Sequence, residues 1–145
     1  MAKGVLIRRE GCMWDAEVCD LTFDEFAKRL QAFAAEEGGY ACPYIISRTV
    51  NGHPVDIWYD ENFLSYQPVP SGVPNKGADE LLMGMLFVTG CDYDTGESVD
   101  LSDDVIEDIL AEYRVPDNEC VKRWNDVAPG LGLYMMGFKL LHYDY

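Results

Sequence analysis

A helix with both of its ends marked in the sequence constrains this chain more than any other feature. Thr22 followed by Glu25 forms a capping box, and Leu21 with Phe26 supplies the hydrophobic staple around it. Apolar residues then repeat at helical spacing until Gly38-Gly39, where glycine can adopt the left-handed conformation that ends a helix. The sequence therefore predicts an amphipathic helix that begins after Thr22 and ends at this glycine pair.

Segments with strand character flank this helix on both sides. Lys3 to Arg9 and Trp14 to Asp20 predict a first hairpin. Tyr40 to Val50 and Pro54 to Tyr59 predict a second hairpin, because Asn51-Gly52 between them favours a tight turn.

The second half of the chain predicts a central strand, a second helix and a final strand. Leu81 to Thr89 is apolar almost throughout, which favours a strand covered on both faces over a buried helix. Ser102 can cap a helix whose apolar face extends to Tyr113, before Pro116 stops it. Leu133 to Tyr143 predicts the last strand.

These elements predict an α+β fold, with an antiparallel or mixed β-sheet and two amphipathic helices on one face. From the length of 145 residues we expect a single domain, 1–145. No apolar stretch is long enough for a membrane helix, and the N-terminus lacks a signal-peptide pattern, so we expect a cytoplasmic protein. Five cysteines without a CxxC motif predict reduced thiols rather than disulfides.

Charge is the sharpest compositional feature. Eleven Lys and Arg against 26 Asp and Glu give a formal net charge of −15. This charge argues against bare nucleic acid and anionic membranes as partners. The stretch from position 92 to 112 contains nine acids and no basic residue, and we call it the acidic segment. Its acids are Asp92, Asp94, Glu97, Asp100, Asp103, Asp104, Glu107, Asp108 and Glu112.

Several of these acids are like-charge pairs four residues apart in the predicted helix, such as Asp104 with Asp108, and each pair mildly destabilises a helix. The rise per pair, about 6 Å, is close to the phosphate spacing along one nucleic-acid strand. One interpretation is therefore a surface that imitates a phosphate row and binds a basic cleft. The other is a solvated helix face whose first acids complement the helix dipole and whose charge promotes solubility.

Aromatic residues around the second hairpin suggest a ligand pocket. Tyr40 and Trp58, with Asn75 nearby in sequence, could stack a ring and hydrogen-bond its edge. Packing of these aromatic residues in the core is the simpler interpretation.

Catalytic and metal signatures are weak. The run from Asp92 to Glu97 resembles the start of a calcium loop, but its glycine and its last ligand do not fit the pattern, and a turn rich in Asp and Gly explains it. His53 and His142 lie in no zinc motif, so we predict no metal and no cofactor. A carboxylate-based enzyme site at Asp60-Glu61 ranks last, because adjacency provides no acid and base geometry.

Short motifs in a fixed order add a family resemblance. They are Gly38-Gly39-Tyr40 after a helix, Asp60-Glu61 after a hairpin, Pro74-Asn75, Gly84 in an apolar strand, and Leu101-Ser102-Asp103-Asp104 opening a helix. This pattern resembles a domain of unknown function common in bacteriophages and mobile elements. The resemblance covers about residues 4–115 and leaves 116–145 as a C-terminal extension. It implies a small cytoplasmic accessory protein and brings no known activity with it.

Charge and resemblance together predict a non-enzymatic inhibitor in the host-cell cytoplasm. It would use the acidic segment to occupy the nucleic-acid-binding surface of a host defence protein, such as a CRISPR effector or a restriction enzyme. The alternative is a protein that binds or sequesters a small ligand, such as a signalling nucleotide. Whether the final strand pairs with a second copy in a homodimer stays open.

Overall fold

The structure is a computed structural model that describes residues 2–10, 13–36, 38–50, 52–62, 84–112 and 115–116. This part of the chain forms an antiparallel β-sheet with a helix on each face. The strands are β1 (Ala2–Glu10), β2 (Met13–Leu21), β3 (Pro43–Val50), β4 (His53–Asp60), β5 (Leu86–Cys91), β6 (Ser98–Val99) and β7 (Val115–Pro116). The helices are α1 (Phe23–Glu36) and α2 (Asp103–Glu112).

The sheet runs in the order β3-β4-β5-β1-β2-β7, and β6 pairs with the end of β5. Every pairing among the described strands is antiparallel. Both predicted hairpins are confirmed, because β1 pairs with β2 and β3 pairs with β4 along their full lengths. The α+β class is therefore correct, with an antiparallel rather than a mixed sheet.

The predicted central strand is confirmed as a strand, and it begins at Leu86 rather than Leu81. All six residues of β5 are buried. It lies between β4 and β1, so its two edges are paired as well. A strand with both faces covered needs apolar residues at consecutive positions, which is why its sequence shows no alternation.

Both ends of α1 form as the sequence indicates. The backbone N–H of Glu25 donates to Thr22 Oγ1 at 3.1 Å, and the Thr22 hydroxyl donates to the Glu25 carboxylate at 3.0 Å. At the other end Gly38 has a φ of 79°, and the Gly39 N–H donates to the Ala34 carbonyl at 3.0 Å. This is the Schellman arrangement, which satisfies carbonyls left over at the helix end.

The two helices cover opposite faces of the sheet, so our prediction of both helices on one face is wrong. On β1, Val5 and Ile7 belong to the core cluster that contains α2, whereas Leu6 belongs to the cluster that contains α1. Successive strand side chains point to opposite faces, so these assignments place the helices on opposite sides. β5 follows the same rule, with Phe87 on the α1 side and Val88 on the α2 side.

Two hydrophobic clusters result. The α1 side contains six fully or nearly fully buried residues: Leu6, Leu21, Phe26, Leu30, Trp58 and Phe87. The ring of Trp58 packs edge-on against Phe87, with centroids 5.0 Å apart, and against Phe26 at 5.7 Å. The α2 side is aliphatic and includes Val105, Ile106 and Ile109 of the helix. The aromatic cluster thus lies on the face that carries α1.

Close backbone approach requires glycine at two positions. A Cβ on Gly4 would lie 2.2 Å from the carbonyl oxygen of Val88, and one on Gly90 would lie 2.5 Å from that of Asp100. Any larger residue at Gly4 would separate β1 from β5, and any at Gly90 would displace the chain that leads to α2.

Several predictions fall outside the described residues. They include the final strand (133–143), most of the extension (116–145) and Asn75. Of the cysteines, Cys19, Cys42 and Cys91 are described, and these are free thiols. In the described ranges no helix is long and apolar enough to cross a membrane.

The aromatic cluster provides a stability test with a matched control. Phe26→Ala should lower the free energy of unfolding by about 3–5 kcal/mol, because this fully buried ring leaves a cavity. Phe23 also contacts the Trp58 ring, at 5.6 Å, but is 39% exposed, so Phe23→Ala should cost under about 1.5 kcal/mol. Urea denaturation measures both, and equal losses would contradict this description of the core.

Candidate functional site

The acidic segment lies at the protein surface. Asp92 is half-buried, and the other acids of the segment whose side chains the structure describes are exposed. They are Asp94, Glu97, Asp100, Asp103, Asp104, Glu107 and Asp108. For Glu112 only the backbone is described, as the last residue of α2. The segment therefore forms a largely continuous acidic stretch of surface chain from the end of β5 to the end of α2.

The first part of the segment is a tight turn between β5 and β6. The N–H of Asp94 donates to Asp92 Oδ1 at 2.9 Å, and the N–H of Gly96 donates to the Asp92 carbonyl at 2.7 Å. Gly96 has a φ of 72°, which favours glycine. Asp92 thus supports the turn itself, as expected for a turn rich in Asp and Gly. The described residues contain no cluster of three or more His, Cys, Asp or Glu arranged to hold a metal ion.

Lys3, from β1, contacts the middle of the acidic segment. The backbone N–H of Lys3 donates to Asp100 Oδ1 at 2.8 Å, and its carbonyl accepts from the Leu101 N–H at 2.8 Å. The Lys3 ammonium lies 3.6 Å from Asp103 Oδ1, whose side chain is 91% exposed. An ion pair this exposed contributes little stability. These contacts fix the loop before α2 against β1 without burying its acids.

The helix α2 separates its apolar and acidic residues cleanly. Val105, Ile106 and Ile109 are buried against the sheet, whereas Asp104, Glu107 and Asp108 are exposed. The N–H of Ile106 donates to the carbonyl of Ser102, which confirms the predicted start of the helix. The acids of the helix therefore point to solvent, as both interpretations of the segment require.

A cleft of about 620 Å³ lies on the α1 side of the sheet, next to the Asp92–Glu97 turn. We call it the Trp58 cleft. The residues that matter for its chemistry are Phe23, Ser47, Asp56, Trp58, Glu97 and Ser98. Its floor is the neighbouring strands β3 and β4, where Ser47 pairs with Asp56. Its walls come from the start of α1 and from the turn that carries Glu97.

A hydrogen-bond network connects the floor of the cleft. Asp56 accepts from the hydroxyl of Ser47 at 2.7 Å and from the hydroxyl of Ser98 at 2.6 Å, one at each carboxylate oxygen. Ser98 in turn accepts from the indole Nε1–H of Trp58 at 3.1 Å. Ser47 Oγ lies 3.9 Å from the sulfur of Cys91. The network joins the four strands β3, β4, β5 and β6 and holds the carboxylate in one orientation.

Asp56 is a buried acid whose recorded partners are neutral. Only 2% of the residue is exposed, and among the described residues no cationic side chain forms an ion pair with it. Burying a carboxylate is costly unless hydrogen bonds or opposite charge compensate it. Ser47, Ser98 and the Cys91 thiol all donate to this carboxylate, and all three are neutral groups. The cleft therefore contains a buried carboxylate whose hydrogen-bond partners are neutral.

The residues predicted for a ligand pocket do not all meet in this cleft. Trp58 lines it, but is 3% exposed and packs in the aromatic cluster. Tyr40 does not line it, and is 71% exposed. Sequence reasoning missed Asp56, although one signal existed: an acid between the apolar residues Val55 and Ile57 in the middle of a predicted strand.

Asp60 and Glu61, the adjacent acids at the end of β4, lie in different environments. Asp60 is fully buried, and its Oδ1 accepts from the N–H groups of Cys42 and Asn62, both at 2.8 Å. It therefore ties the end of β4 to the chain entering β3. Glu61 is exposed beside it.

A second cleft, of about 460 Å³, lies between α1 and the sheet. Arg8, Arg29, Phe33 and Glu36 line it. Arg8 lies 3.4 Å from the Glu17 carboxylate. This cleft has cationic groups that the Trp58 cleft lacks among the described residues.

Comparison with protein-family models, with curated proteins and with solved structures finds no match to this chain. The resemblance to a phage domain family therefore stays a prediction.

The network makes a prediction about Asp56. Asp56→Asn removes a buried charge but keeps an oxygen that can accept a hydrogen bond. The free energy of unfolding should therefore fall by no more than about 1 kcal/mol, and a rise would also agree with the network. Asp56→Ala leaves buried hydrogen-bonding groups without a partner and should cost about 2–3 kcal/mol. Urea denaturation compares the two. If both variants are destabilised equally, the charge of Asp56 is needed for folding, and this prediction is wrong.

Cys91 provides a test of pH-dependent reactivity. Burial, followed by its hydrogen bond with Asp56, raises the pKa of the Cys91 thiol, so less thiolate is present at a given pH. At about pH 8, iodoacetamide should therefore label Cys91 much more slowly than the exposed Cys42 in the folded protein. Peptide mass spectrometry measures both rates, and unfolding in urea should remove the difference. Equal rates in the folded protein would contradict the burial of Cys91.

Proposed function

We propose that this protein is a non-enzymatic inhibitor that binds the basic, nucleic-acid-binding surface of a host defence protein through the acidic segment. The observation that supports the proposal is the exposure of the acids from Asp94 to Asp108 on a turn, a short loop and a helix. Among the described residues, Lys3 forms an ion pair with Asp103. The exposed acids can attract a basic partner over a distance that ionic strength determines.

The packing of the segment against the sheet supports the proposal together with its charge. Flexible acidic tails lose conformational entropy when they bind, whereas charges fixed on packed elements do not. Buried aliphatic residues anchor α2, and Lys3 fixes the loop before it. A row of fixed negative charges can match phosphate contacts that a nucleic-acid-binding surface already makes.

The alternative function, binding of a small anionic ligand such as a nucleotide, is supported by one observation. Arg8 and Arg29 line the second cleft together with the ring of Phe33. Guanidinium groups and an aromatic ring are suitable for a phosphate and a base. Heating purified protein and analysing the released small molecules tests it. A nucleotide that is released from the native chain and lost in Arg29→Ala would favour this function.

Displacement by DNA tests the inhibitor proposal. The full chain is immobilised, exposed to lysate of a bacterium with CRISPR and restriction systems, and eluted with a double-stranded DNA oligonucleotide. DNA should release a nuclease or another nucleic-acid-binding protein, because both ligands occupy one surface. The purified partner should bind less tightly as salt rises from about 50 mM to about 200 mM, since exposed charges are screened.

Two charge-reversal variants with the same change in net charge make this test specific. Reversal of Asp104, Glu107 and Asp108 to Lys should abolish binding and inhibition. Reversal of Asp20, Asp24 and Glu61 to Lys should leave most of both, because these exposed acids lie outside the segment. Asp24 occupies the first turn of α1 as Asp104 occupies that of α2, so both variants oppose a helix dipole. Undiminished inhibition by the α2 variant would refute the proposal.

A further inference from the structure

The Trp58 cleft combines a buried carboxylate, a second carboxylate at its edge and aromatic rings. Asp56 lies in the floor and Glu97 in the wall, with Trp58 and Phe23 beside them. None of the described residues that line it is Lys, Arg or His. A cavity with this lining has a negative potential and apolar surface together, which favours an organic cation over an anion or a bare metal ion.

We propose that the Trp58 cleft is a receptor for an arginine side chain of the basic partner, an inference that rests on the proposed function. A guanidinium is planar, is weakly hydrated, stacks on aromatic rings and donates to carboxylates in a fixed fork. The cleft offers a partly exposed aromatic ring at Phe23, which contacts the buried Trp58 ring, and carboxylate oxygens at Asp56 and Glu97.

The arrangement of protons in the network supports a cation at this position. Both serine hydroxyls donate to Asp56, so they hold the carboxylate in place without adding a positive charge to the cleft. The indole N–H of Trp58 donates to the Ser98 hydroxyl oxygen. Of the roughly four acceptor sites of a carboxylate, the two hydroxyls and the Cys91 thiol use three, so Asp56 can accept from a further donor. A cationic donor would use these sites and would also offset the cost of burying the carboxylate.

The position of the cleft explains why the cation would belong to a protein partner. Gly96 and Glu97 line the cleft and also form the end of the Asp92–Glu97 turn, so the cleft adjoins the acidic segment. A basic surface attracted to that segment would bring arginine side chains to this position. The volume, about 620 Å³, is in the range of clefts that hold a long side chain or a small molecule.

Nuclear magnetic resonance of the ¹⁵N-labelled full chain tests this inference. The indole N–H of Trp58 is the reporter, because it donates into the network, and its signal is identified by its loss in Trp58→Phe. The probes are N-acetyl-arginine amide and N-acetyl-citrulline amide, which has nearly the same shape without the charge. The arginine amide should shift the signal saturably, and the citrulline amide should not.

Three variants locate the binding. Glu97→Gln and Asp56→Asn should each weaken binding of the arginine amide by roughly tenfold or more, the loss of one charge-assisted contact. Glu97 is exposed, so its substitution leaves the core intact even if the Asp56 variant were unstable. Glu61→Gln, an exposed acid that does not line the cleft, should leave binding unchanged. Equal binding of citrulline amide, or full binding by both cleft variants, would overturn the inference.

The source of the cation and the link to function are tested separately. Agmatine, a free guanidinium compound, is titrated in parallel, and much tighter binding of agmatine than of the arginine amide would overturn the assignment to a protein partner. The α2 charge-reversal variant should still bind the arginine amide. If DNA releases no host protein, the proposed function fails while cation binding remains measurable. If the titration fails but DNA releases a partner, only the cleft assignment fails.

Discussion

Burial of β5 on both faces is the constraint on which the rest of the structure depends. Its six consecutive buried residues require a layer on each side of the sheet, and α1 and α2 supply those layers. β4 and β1 pair with its two edges, and β6 continues the pairing at its end. The acidic turn follows directly from this strand, so a fully buried strand positions the start of the acidic segment.

The same strand explains where sequence reasoning succeeded and where it failed. Caps and turns are made by near neighbours, as between Thr22 and Glu25, and these were predictable. The prediction that Leu81 to Thr89 is covered on both faces already conflicted with placing both helices on one face. A strand that is apolar at every position needs cover on both sides, so its own pattern required opposite helices. The pairing order of strands depends on contacts distant in sequence, and local patterns do not contain it.

The candidate site divides in the same way. The acids of α2 were predictable, because helical spacing separates them from Val105 and Ile109. The Trp58 cleft was not, because Asp56 receives its hydrogen bonds from Ser47 and from Ser98, which is 42 residues away. The contact of Lys3 with Asp100 spans 97 residues. These contacts depend on the order of the strands in the sheet. The one local signal of the site was Asp56, an acid between apolar neighbours in β4.

Asp56 is also the place where stability and binding favour different residues. An apolar or neutral side chain at this inward position would avoid burying a charge, and cores tolerate that exchange well. Retaining a carboxylate in a site open to a cleft is typical of residues that serve binding rather than folding. Exposed acids on α2 attract any basic surface over a distance that depends on salt concentration. They therefore increase the association rate more than they increase selectivity between partners. A buried carboxylate beside aromatic rings should instead bind a guanidinium group more tightly than its neutral analogue. In the proposed mechanism, the acidic segment brings a basic partner to the surface, and the Trp58 cleft determines which partners remain bound.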